Sequence, residues 1–466
     1  MSSAPGASHV ELLRAGSDRH EARRLLLISP GFPPSAAVGG LRWQKMLPAL
    51  ESAGWMADVV TVIPQEVASR DDGRLADLPE TTRVIGVSAV DLEDRLLRQT
   101  QALLMRVKRV RRGREVPTRA SGGGAGQSIA GRNESPAPSV TRRWIRLFLH
   151  ARAQRIASRV LQQTCLRSEI RPFDLIVSSG PPHSAHLAAR SLAKRFNVPW
   201  IMDCRDPWTF DEFLESFDAV EYARLERSKE ARCVRAASSI VANTPAVARR
   251  LAAMYPDAES RIVAIPNGAD IEPLPEWGRD KRFRIVYAGS LFQGRDPRIF
   301  MRAVRTMCDE YGVPETSVVL QFVTGQDRYE GESLHAWARH FGVDSLVEFI
   351  PLMPRARLLQ WLAGSAVNVL VQIPSTYQIP AKLFEYMQLP SWLIAVTNAP
   401  NAISEMLEGS AGIVSSPDHE ELAAQLASLY ARWSTGEAPR PVNDGRYDRR
   451  LRAAEMLAVI GRLTRK

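Results

Sequence analysis

The sequence predicts two α/β domains, each a doubly wound parallel sheet of the Rossmann type, with a basic helical insertion in the first. Short apolar runs such as LLLIS, DLIVSS and WIMDC alternate with helical segments, which is typical of parallel strands buried on both faces. A polar, proline-containing break at residues 271–282 separates two such series. A chain of 466 residues has room for two or three domains, each with its own core.

Each element follows from its local pattern. Strands of the first series are predicted at 24–29, 58–63, 83–87, 174–178, 200–204, 239–242 and 261–265, with helices at 41–53, 185–196, 219–237 and 245–254. Strands of the second series are predicted at 285–288, 318–323, 347–349, 367–371 and 393–396, and a helix at 446–463. We therefore expect a disordered lead-in at 1–22, a first domain at 23–270, a linker at 271–282, a second domain at 283–445 and a final helical segment at 446–466.

Composition excludes several classes of protein. Apolar residues make up 45% and charged residues 24% of the chain, as in ordinary globular proteins. The sequence contains no run of 18 apolar residues and no secretory signal at its start, so we expect no membrane-spanning helix. Its four cysteines are scattered and its histidines are not clustered, which predicts neither a metal site nor a disulfide framework and favours a cytoplasmic location.

The positive charge is concentrated in one segment. The chain has a net charge of +10, but residues 95–171 hold 18 basic and 3 acidic residues, a local charge of +15. Residues 116–141 are rich in Gly, Ser, Ala and Pro and predict a flexible loop between two helices. In the second helix an apolar stripe is flanked by arginines. The stripe is Ile145, Leu149, Ile156 and Val160, and the arginines are Arg143, Arg146, Arg155 and Arg159.

This basic hairpin has two interpretations. It is suited to peripheral contact with an anionic membrane surface, and it is equally consistent with a surface insertion whose arginines are only solvated. We expect no nucleic-acid partner, because no helix-turn-helix, aromatic sheet motif or zinc-finger spacing accompanies the charge.

The end of the first strand carries a glycine pair. Gly39 and Gly40 directly precede a predicted helix, where glycines allow a ligand to approach the backbone and helix N–H groups to face an anion. A tight turn explains them equally well. The pattern is neither a dinucleotide-binding nor a P-loop motif.

Two cations stand at predicted helix starts in the second domain. Arg295 follows a loop of Gly289, Ser290 and Gly294, and Lys382 lies just after Pro380. Positive charge at a helix N-terminus is disfavoured unless an anion is bound there. The two cations therefore favour a diphosphate site, with Glu385 free to accept from ribose hydroxyls. The alternative for Lys382 is a surface pair with Glu385, three residues on.

Polar residues also follow two strands of the first domain. Asp203, Arg205 and Asp206 come at the end of one strand, where a carboxylate facing a cleft could take a proton or hold a sugar hydroxyl. An Asp–Arg pair bracing the loop is the alternative. His183 lies on a Gly-Pro-Pro loop, where a histidine more often caps or packs than catalyses.

These motifs resemble family 4 of the retaining glycosyltransferases, in a branch that builds bacterial cell-surface polysaccharides. SPGFPPSAAVGG, DLIVSSGPPHSAH, PWIMDCRDPW, IPNGAD, YAGSLFQGR and IPAKLFEYM carry the resemblance. It implies the GT-B fold, with two Rossmann-like domains facing across a cleft, and a final helix that crosses back to the first domain. Four positions depart from the family pattern: Ser290, Tyr377, Arg205 and the run Gln388-Leu389-Pro390.

The resemblance also implies roles for individual residues. Arg295 and Lys382 would neutralise the leaving diphosphate, and Asp206 would orient the acceptor, with Asp203, Arg205 and His183 on the same acceptor side. The donor would contact Gly39, Gly40, Gly289, Ser290, Arg295, Thr324, Gly325, Met353, Lys382, Leu383 and Glu385.

The expected function is metal-independent transfer of a sugar, with retention, from a UDP-linked donor to a hydroxyl of a lipid-linked glycan. The nucleotide-sugar would be a co-substrate, and no cofactor is expected. Residues 95–171 would contact the inner face of the cell membrane. Alternatives are a soluble glycosyltransferase of a small natural product, a catalytically silent scaffold and a nucleotide-sugar epimerase of the same fold.

Overall fold

The apolar runs form the strands of two large sheets in a computed structural model of the chain. It describes residues 10–18, 22–36, 38–63, 70–88, 154–155, 157–166, 172–210, 216–270, 280–291, 294–373, 376–442 and 445–465. The predicted loop at 116–141 and most of the predicted linker at 271–282 lie outside these residues.

The first sheet has eight strands in the order β1-β4-β3-β2-β5-β6-β7-β8. The strands are β1 Val10–Arg14, β2 Arg23–Ile28, β3 Trp55–Val62, β4 Arg83–Val87, β5 Leu175–Gly180, β6 Trp200–Cys204, β7 Ser239–Ala242 and β8 Ile262–Ala264. The helices between them are α1 Leu41–Ser52, α2 Gly73–Ala76, α3 Ser184–Phe196, α4 Ser216–Ala236 and α5 Pro245–Met254. β2 pairs in parallel with β3 and β5, and β1 pairs antiparallel with β4.

The second sheet has six strands in the order β13-β10-β9-β14-β15-β16, and its described pairings are all parallel. The strands after β8 are β9 Phe283–Ala288, β10 Val318–Val323, β11 Arg328–Tyr329, β12 Glu332–Ser333, β13 Val347–Ile350, β14 Val367–Val371, β15 Trp392–Val396 and β16 Ile413–Ser415. The helices are α6 Arg298–Tyr311, α7 Leu334–His340, α8 Arg355–Ala363, α9 Ala381–Tyr386, α10 Ala402–Leu407, α11 His419–Ser434 and α12 Arg449–Thr464.

Chain order reverses in the second sheet where β9 lies between β10 and β14. In open parallel sheets, ligands bind beyond the carboxyl ends of the strands at such a switch point. Both faces are covered: Ile285 and Tyr287 of β9 belong to one core, and Val286 and Ala288 belong to the other. This alternation explains why the strand is apolar throughout.

The described residues cluster into two compact units. One contains β1 to β5, α3 and α4. The other contains most of α1, β6 to β8 and the whole second sheet. The residues that the sequence predicts to contact a donor or an acceptor belong to the second unit, except Gly39, Gly40 and His183.

Most predicted strands are confirmed, with ends shifted by at most three residues, but the disordered lead-in at 1–22 is wrong for part of its length. Residues 10–14 form β1, and Arg14 donates from its guanidinium to the carbonyls of Leu78, Pro79 and Thr82. Val10 and Leu12 remain 44% and 59% exposed. β1 lies at the edge of its sheet. Its sequence, VELLR, contains no long apolar run of the kind that identified the other strands.

Only the end of the basic segment at 95–171 belongs to the described residues. Residues 154–155 and 157–166 are helical, and Arg155 and Arg159 are exposed as predicted. The apolar stripe is displaced by one residue, since Ala157 and Leu161 are buried while Val160 is half-buried. Within the described residues, no helix is long and apolar enough to cross a membrane.

Candidate functional site

The loop after β9 approaches its neighbours very closely. Gly289 has φ +144°, and a Cβ there would lie 2.9 Å from the Lys382 Nζ. Gly294 has φ +81°, and a Cβ there would lie 2.2 Å from the carbonyl oxygen of Ile373. Because side chains rarely adopt such φ angles, glycine is required at both positions. The loop thereby brings Arg295 to the carboxyl ends of β9 and β14.

Lys382 lies at the same strand ends. Its Nζ donates to the Ala288 carbonyl at 3.0 Å and lies 4.5 Å from the ring centroid of Tyr287. Burial, with a smaller contribution from the positive charge of Arg295, lowers the pKa of Lys382 to about 7. An anion bound beside both cations would relieve this penalty.

Arg295 is held by an amide. Its Nε and one terminal nitrogen donate to Oε1 of Gln372 at 3.3 and 2.8 Å. Burial lowers the pKa of Arg295 as well. The structure therefore brings together the two cations that the sequence placed at separate helix starts. Just before α6, the Asp296 carboxylate accepts from the backbone N–H of Arg298 at 2.9 Å.

Glu385 pairs with a residue that the sequence did not single out. Its Oε1 accepts from Nε of Arg355 at 2.8 Å and lies 2.7 Å from a terminal nitrogen of the same guanidinium. The alternative of a Lys382–Glu385 surface pair is therefore wrong. Leu383, between them, is fully buried in the core beneath α9, so its part in a site is to position that helix.

A second loop, 324–327, joins the first through Gln326. Its side chain donates from Nε2 to the Leu291 carbonyl at 3.1 Å and accepts from the Leu291 N–H. Thr324 accepts from the Gln326 N–H at 3.2 Å. Gly325 lies under Leu352, which is 69% exposed beside the half-buried Met353. The loop of Thr324 and Gly325 is thus tied through Gln326 to the loop that carries Ser290.

Asp203 is a buried carboxylate that links two segments of the chain. It is fully buried and accepts from Arg42 Nε at 3.2 Å and from Trp43 Nε1 at 2.8 Å. Arg42 also donates to the carbonyls of Ile265 and Pro266. The bracing interpretation of Asp203 therefore describes its position, and Arg42 is a partner that the sequence did not indicate. Nothing in the sequence pairs residues so far apart.

Arg205 and Asp206 come directly after β6 and are half-buried. Burial lowers the pKa of Arg205. The negative charge of the Asp206 carboxylate partly opposes this shift. Four residues on, the Phe210 ring packs edge-on against Tyr377 with centroids 5.0 Å apart. Tyr377 borders a cavity of about 840 Å³ that Arg249, Arg250, Asn401 and Glu405 also line.

His183 occupies the N-cap position of α3, although its side chain makes no capping hydrogen bond to that helix. Its ring lies 5.7 Å from that of His186. His186 is fully buried and contacts Ser178 Oγ through Nδ1 at 2.8 Å, and Trp200 donates to the same hydroxyl. Nothing in the sequence indicated that these residues contact one another.

The first glycine pair is explained in part by packing. A Cβ on Gly40 would lie 2.3 Å from the Gly31 carbonyl oxygen and 2.7 Å from the Phe32 Cα. Gly40 is thus required by the backbone itself, whereas Gly39 is half-buried at the start of α1. Among the described residues, no group of three acidic, histidine or cysteine side chains could hold a metal ion.

Comparison with known proteins gives consistent matches. Residues 115–273 match the sequence model of the family described as Glycosyltransferase Family 4. The chain is 24% identical over 235 residues to the D-inositol 3-phosphate glycosyltransferase of Paenarthrobacter aurescens, covering 48% of this chain and 56% of that protein. It is 27% identical over 215 residues to the protein of the same name from Nocardiopsis dassonvillei, covering 43% and 50%. The chain thus spans about half the length of the curated relatives it matches.

Solved structures agree over nearly the whole chain. HepE of Anabaena, solved in complex with UDP, superposes with a TM-score of 0.58 at 14% identity, covering 95% of this chain and all of that one. Sucrose-phosphate synthase of Thermosynechococcus elongatus gives 0.58 at 14% identity, covering 95% and 99%. A glycosyltransferase of Rickettsia africae gives 0.61 at 10% identity, covering 96% and 100%. These likenesses establish a shared fold. The chain thus has the two Rossmann-like domains of the GT-B fold, and its residues 115–273 are similar to glycosyltransferase family 4.

Proposed function

We propose that the protein transfers a sugar from a nucleotide-sugar, UDP-linked, to a hydroxyl group. The observation that carries this proposal is the pair of Lys382 and Arg295 at the carboxyl ends of β9 and β14. Two cations at the switch point of a parallel sheet suit one diphosphate. Support for uridine comes from HepE of Anabaena, whose structures contain UDP and UDP-glucose.

The two cations act on the leaving group. As the bond between the anomeric carbon and the diphosphate oxygen breaks, negative charge develops on that oxygen, and Arg295 and Lys382 stabilise it in place of a metal ion. Glu385, oriented by Arg355, accepts from the ribose hydroxyls. Thr324, Gly325 and Met353 line the base, while Gly289 and Ser290 border the phosphates.

Retention follows from attack on the same face of the sugar that the diphosphate leaves. The acceptor oxygen bonds to the anomeric carbon, and its proton passes to the leaving phosphate, so no protein nucleophile is required. Asp206 orients the acceptor hydroxyl, with Arg205 on the same acceptor side. The cavity beside Tyr377 provides room for the rest of the acceptor.

The acceptor we favour is a lipid-linked glycan of polysaccharide biosynthesis, reached from the cytoplasmic face of the membrane. Support comes from the charge of +15 over residues 95–171, which suits an anionic leaflet. Because residues 157–166 pack into the fold, the test keeps them. Replacing Arg106, Arg109, Arg111 and Arg112 by glutamine should abolish sedimentation with phosphatidylglycerol vesicles, with phosphatidylcholine vesicles as the control. Unchanged sedimentation would contradict membrane contact.

A small soluble acceptor is the second candidate. The curated relatives are named for D-inositol 3-phosphate, a phosphorylated polyol, and the cavity beside Tyr377 is lined by Arg249 and Arg250. Transfer to a soluble polyol phosphate, with no dependence on vesicles, would favour this candidate.

Turnover of a panel of UDP-, GDP- and ADP-sugars tests the donor. We expect slow hydrolysis of a UDP-sugar without acceptor and release of UDP, because water competes as an acceptor. No turnover of any donor, with and without glycan acceptors, would contradict the proposed function and would favour a silent scaffold.

A further inference from the structure

We propose that Gln372 is a positioning residue that fixes the Arg295 guanidinium through a neutral oxygen, so that the contact orients the cation without cancelling its charge. The inference rests on the proposed function of the Lys382–Arg295 pair as a diphosphate site. It assigns a role to a residue that follows β14 directly and that no motif in the sequence marks.

Gln372 is rigidly held. It is 2% exposed, its N–H donates to the Val396 carbonyl at 3.1 Å, and its own carbonyl accepts from Thr397 Oγ1 at 3.0 Å. Both backbone groups are thus fixed to the end of β15. A side chain projecting from such a position has few alternative orientations, so its amide oxygen is a fixed acceptor.

A single oxygen of Gln372 accepts two hydrogen bonds from the Arg295 guanidinium. Oε1 of Gln372 accepts from Arg295 Nε at 3.3 Å and from a terminal nitrogen at 2.8 Å. A glutamate of the same length would place a carboxylate in that position and form a charge-assisted pair. Such a pair would orient Arg295 equally well, but it would offset the charge that a phosphate needs.

The loop geometry brings the two residues together. At Gly294 the backbone is packed so closely that a Cβ would meet the Ile373 carbonyl oxygen at 2.2 Å. Residue 373 directly follows Gln372, so this contact holds Arg295 beside the amide. β9 and β14 are neighbours in the sheet, which places the pair at the switch point.

Lys382 is held in a comparable way. Its ammonium donates to the Ala288 carbonyl and lies over the Tyr287 ring, both of them neutral groups. Burial without a carboxylate contact lowers the pKa of Lys382. An additional negative charge at residue 372 would therefore compete with the phosphate for both cations.

The experiment compares Gln372→Glu, Gln372→Met and Gln360→Glu by calorimetric titration with inorganic pyrophosphate, UDP and uridine. Gln360 lies half-buried on α8 and controls for the added charge. We expect Gln372→Glu to weaken pyrophosphate and UDP binding about tenfold or more, and Gln372→Met about threefold, because orientation is lost while charge remains. Uridine affinity and the melting temperature should stay near the wild-type values, and Gln360→Glu should change nothing by more than about twofold.

Wild-type affinity for pyrophosphate in Gln372→Glu would overturn the inference, and so would an equal loss in Gln360→Glu. If Gln372→Glu fails to fold, Gln372→Met decides by the same comparison of pyrophosphate with uridine. A wild-type protein that binds pyrophosphate but no nucleotide would contradict the proposed function and leave the inference intact. A wild-type protein that binds no pyrophosphate would overturn the inference.

Discussion

Arg355 contacts a single carboxylate oxygen of Glu385. Two of its three guanidinium nitrogens, Nε and a terminal one, lie 2.8 and 2.7 Å from Oε1, so the pair holds the carboxylate through that oxygen. We expect Arg355→Ala to raise the KM for the donor about threefold with little change in kcat. The effect is modest because Arg355 is 47% exposed, where ion pairs contribute little. Arg357→Ala on the same helix is the matched control, and equal KM values for the two variants would contradict the role of Arg355.

Binding of UDP should be accompanied by proton uptake at Lys382. With its pKa near 7 in the free protein, Lys382 is largely neutral at pH 8, and a bound diphosphate should raise that pKa. Titrating UDP at pH 8 in buffers of different ionisation enthalpy should reveal uptake approaching one proton. Lys382→Met should lose this uptake. Equal uptake by both proteins would show that another group titrates.

The same pKa has a consequence for stability. The pKa of Lys382 is about 7 in the folded chain and near its ordinary value of 10.5 in the unfolded chain. Between these values the unfolded chain binds the extra proton, so the contribution of Lys382 to the free energy of unfolding rises with pH. Relative to the wild type, Lys382→Met should therefore gain most stability near pH 7 and least near pH 10, measured by urea titration. A pH-independent difference would contradict the lowered pKa.

Any side chain at residue 294 should clash with its neighbours. Gly294→Ala should destabilise the fold by about 2 kcal/mol or more, because it adds a clash with Ile373 to the strain of a positive φ. Gly312→Ala is the matched control, since φ there is +65° but a Cβ would meet nothing within 4 Å. That variant should cost only about 1 kcal/mol. Equal losses in urea titrations would contradict the close approach at Gly294.

Substitutions of Asp203 and Asp206 should affect different properties, the first mainly stability and the second mainly transfer to the acceptor. Asp203→Ala removes the buried partner of Arg42 and should lower the free energy of unfolding by about 3–5 kcal/mol. Asp206→Asn, three residues on and half-buried, should cost less stability than Asp203→Ala, because it removes only part of the charge that offsets the burial of Arg205, and should reduce transfer to the acceptor. A stable Asp203→Ala protein would show that the brace is dispensable. Full transfer by Asp206→Asn would remove Asp206 from the acceptor side.

The sequence revealed the parts of the fold that depend on local apolar runs. Strands such as Val318–Val323 and Val367–Val371 were predicted with the bounds observed, because both faces of the second sheet are buried. β1 was missed because two of its five side chains are exposed, and the short β16 was missed as well. Arg295 and Lys382 stood out as cations at helix starts. Their partners did not, since Gln372 is a neutral residue 77 positions from Arg295.

Residues that the fold pairs over long distances are similarly invisible in one sequence. Asp203 lies 161 positions from Arg42, and the sequence offered only the neighbouring Arg205 as its partner. Glu385 offered only Lys382 at helical spacing, whereas the sheet brings Arg355 to it from α8. Local charge patterns thus indicated an anion site but could not indicate which residues orient it.

Hydrolysis and transfer of a UDP-sugar by Lys382→Met, compared with Lys281→Met, test the donor site most directly. Lys281 is exposed before β9 and controls for the loss of one lysine. We predict that Lys382→Met loses at least about 100-fold in kcat, as expected when a group that stabilises the leaving charge is removed, while its circular dichroism spectrum is unchanged. Wild-type turnover by Lys382→Met would contradict the assignment of the diphosphate site.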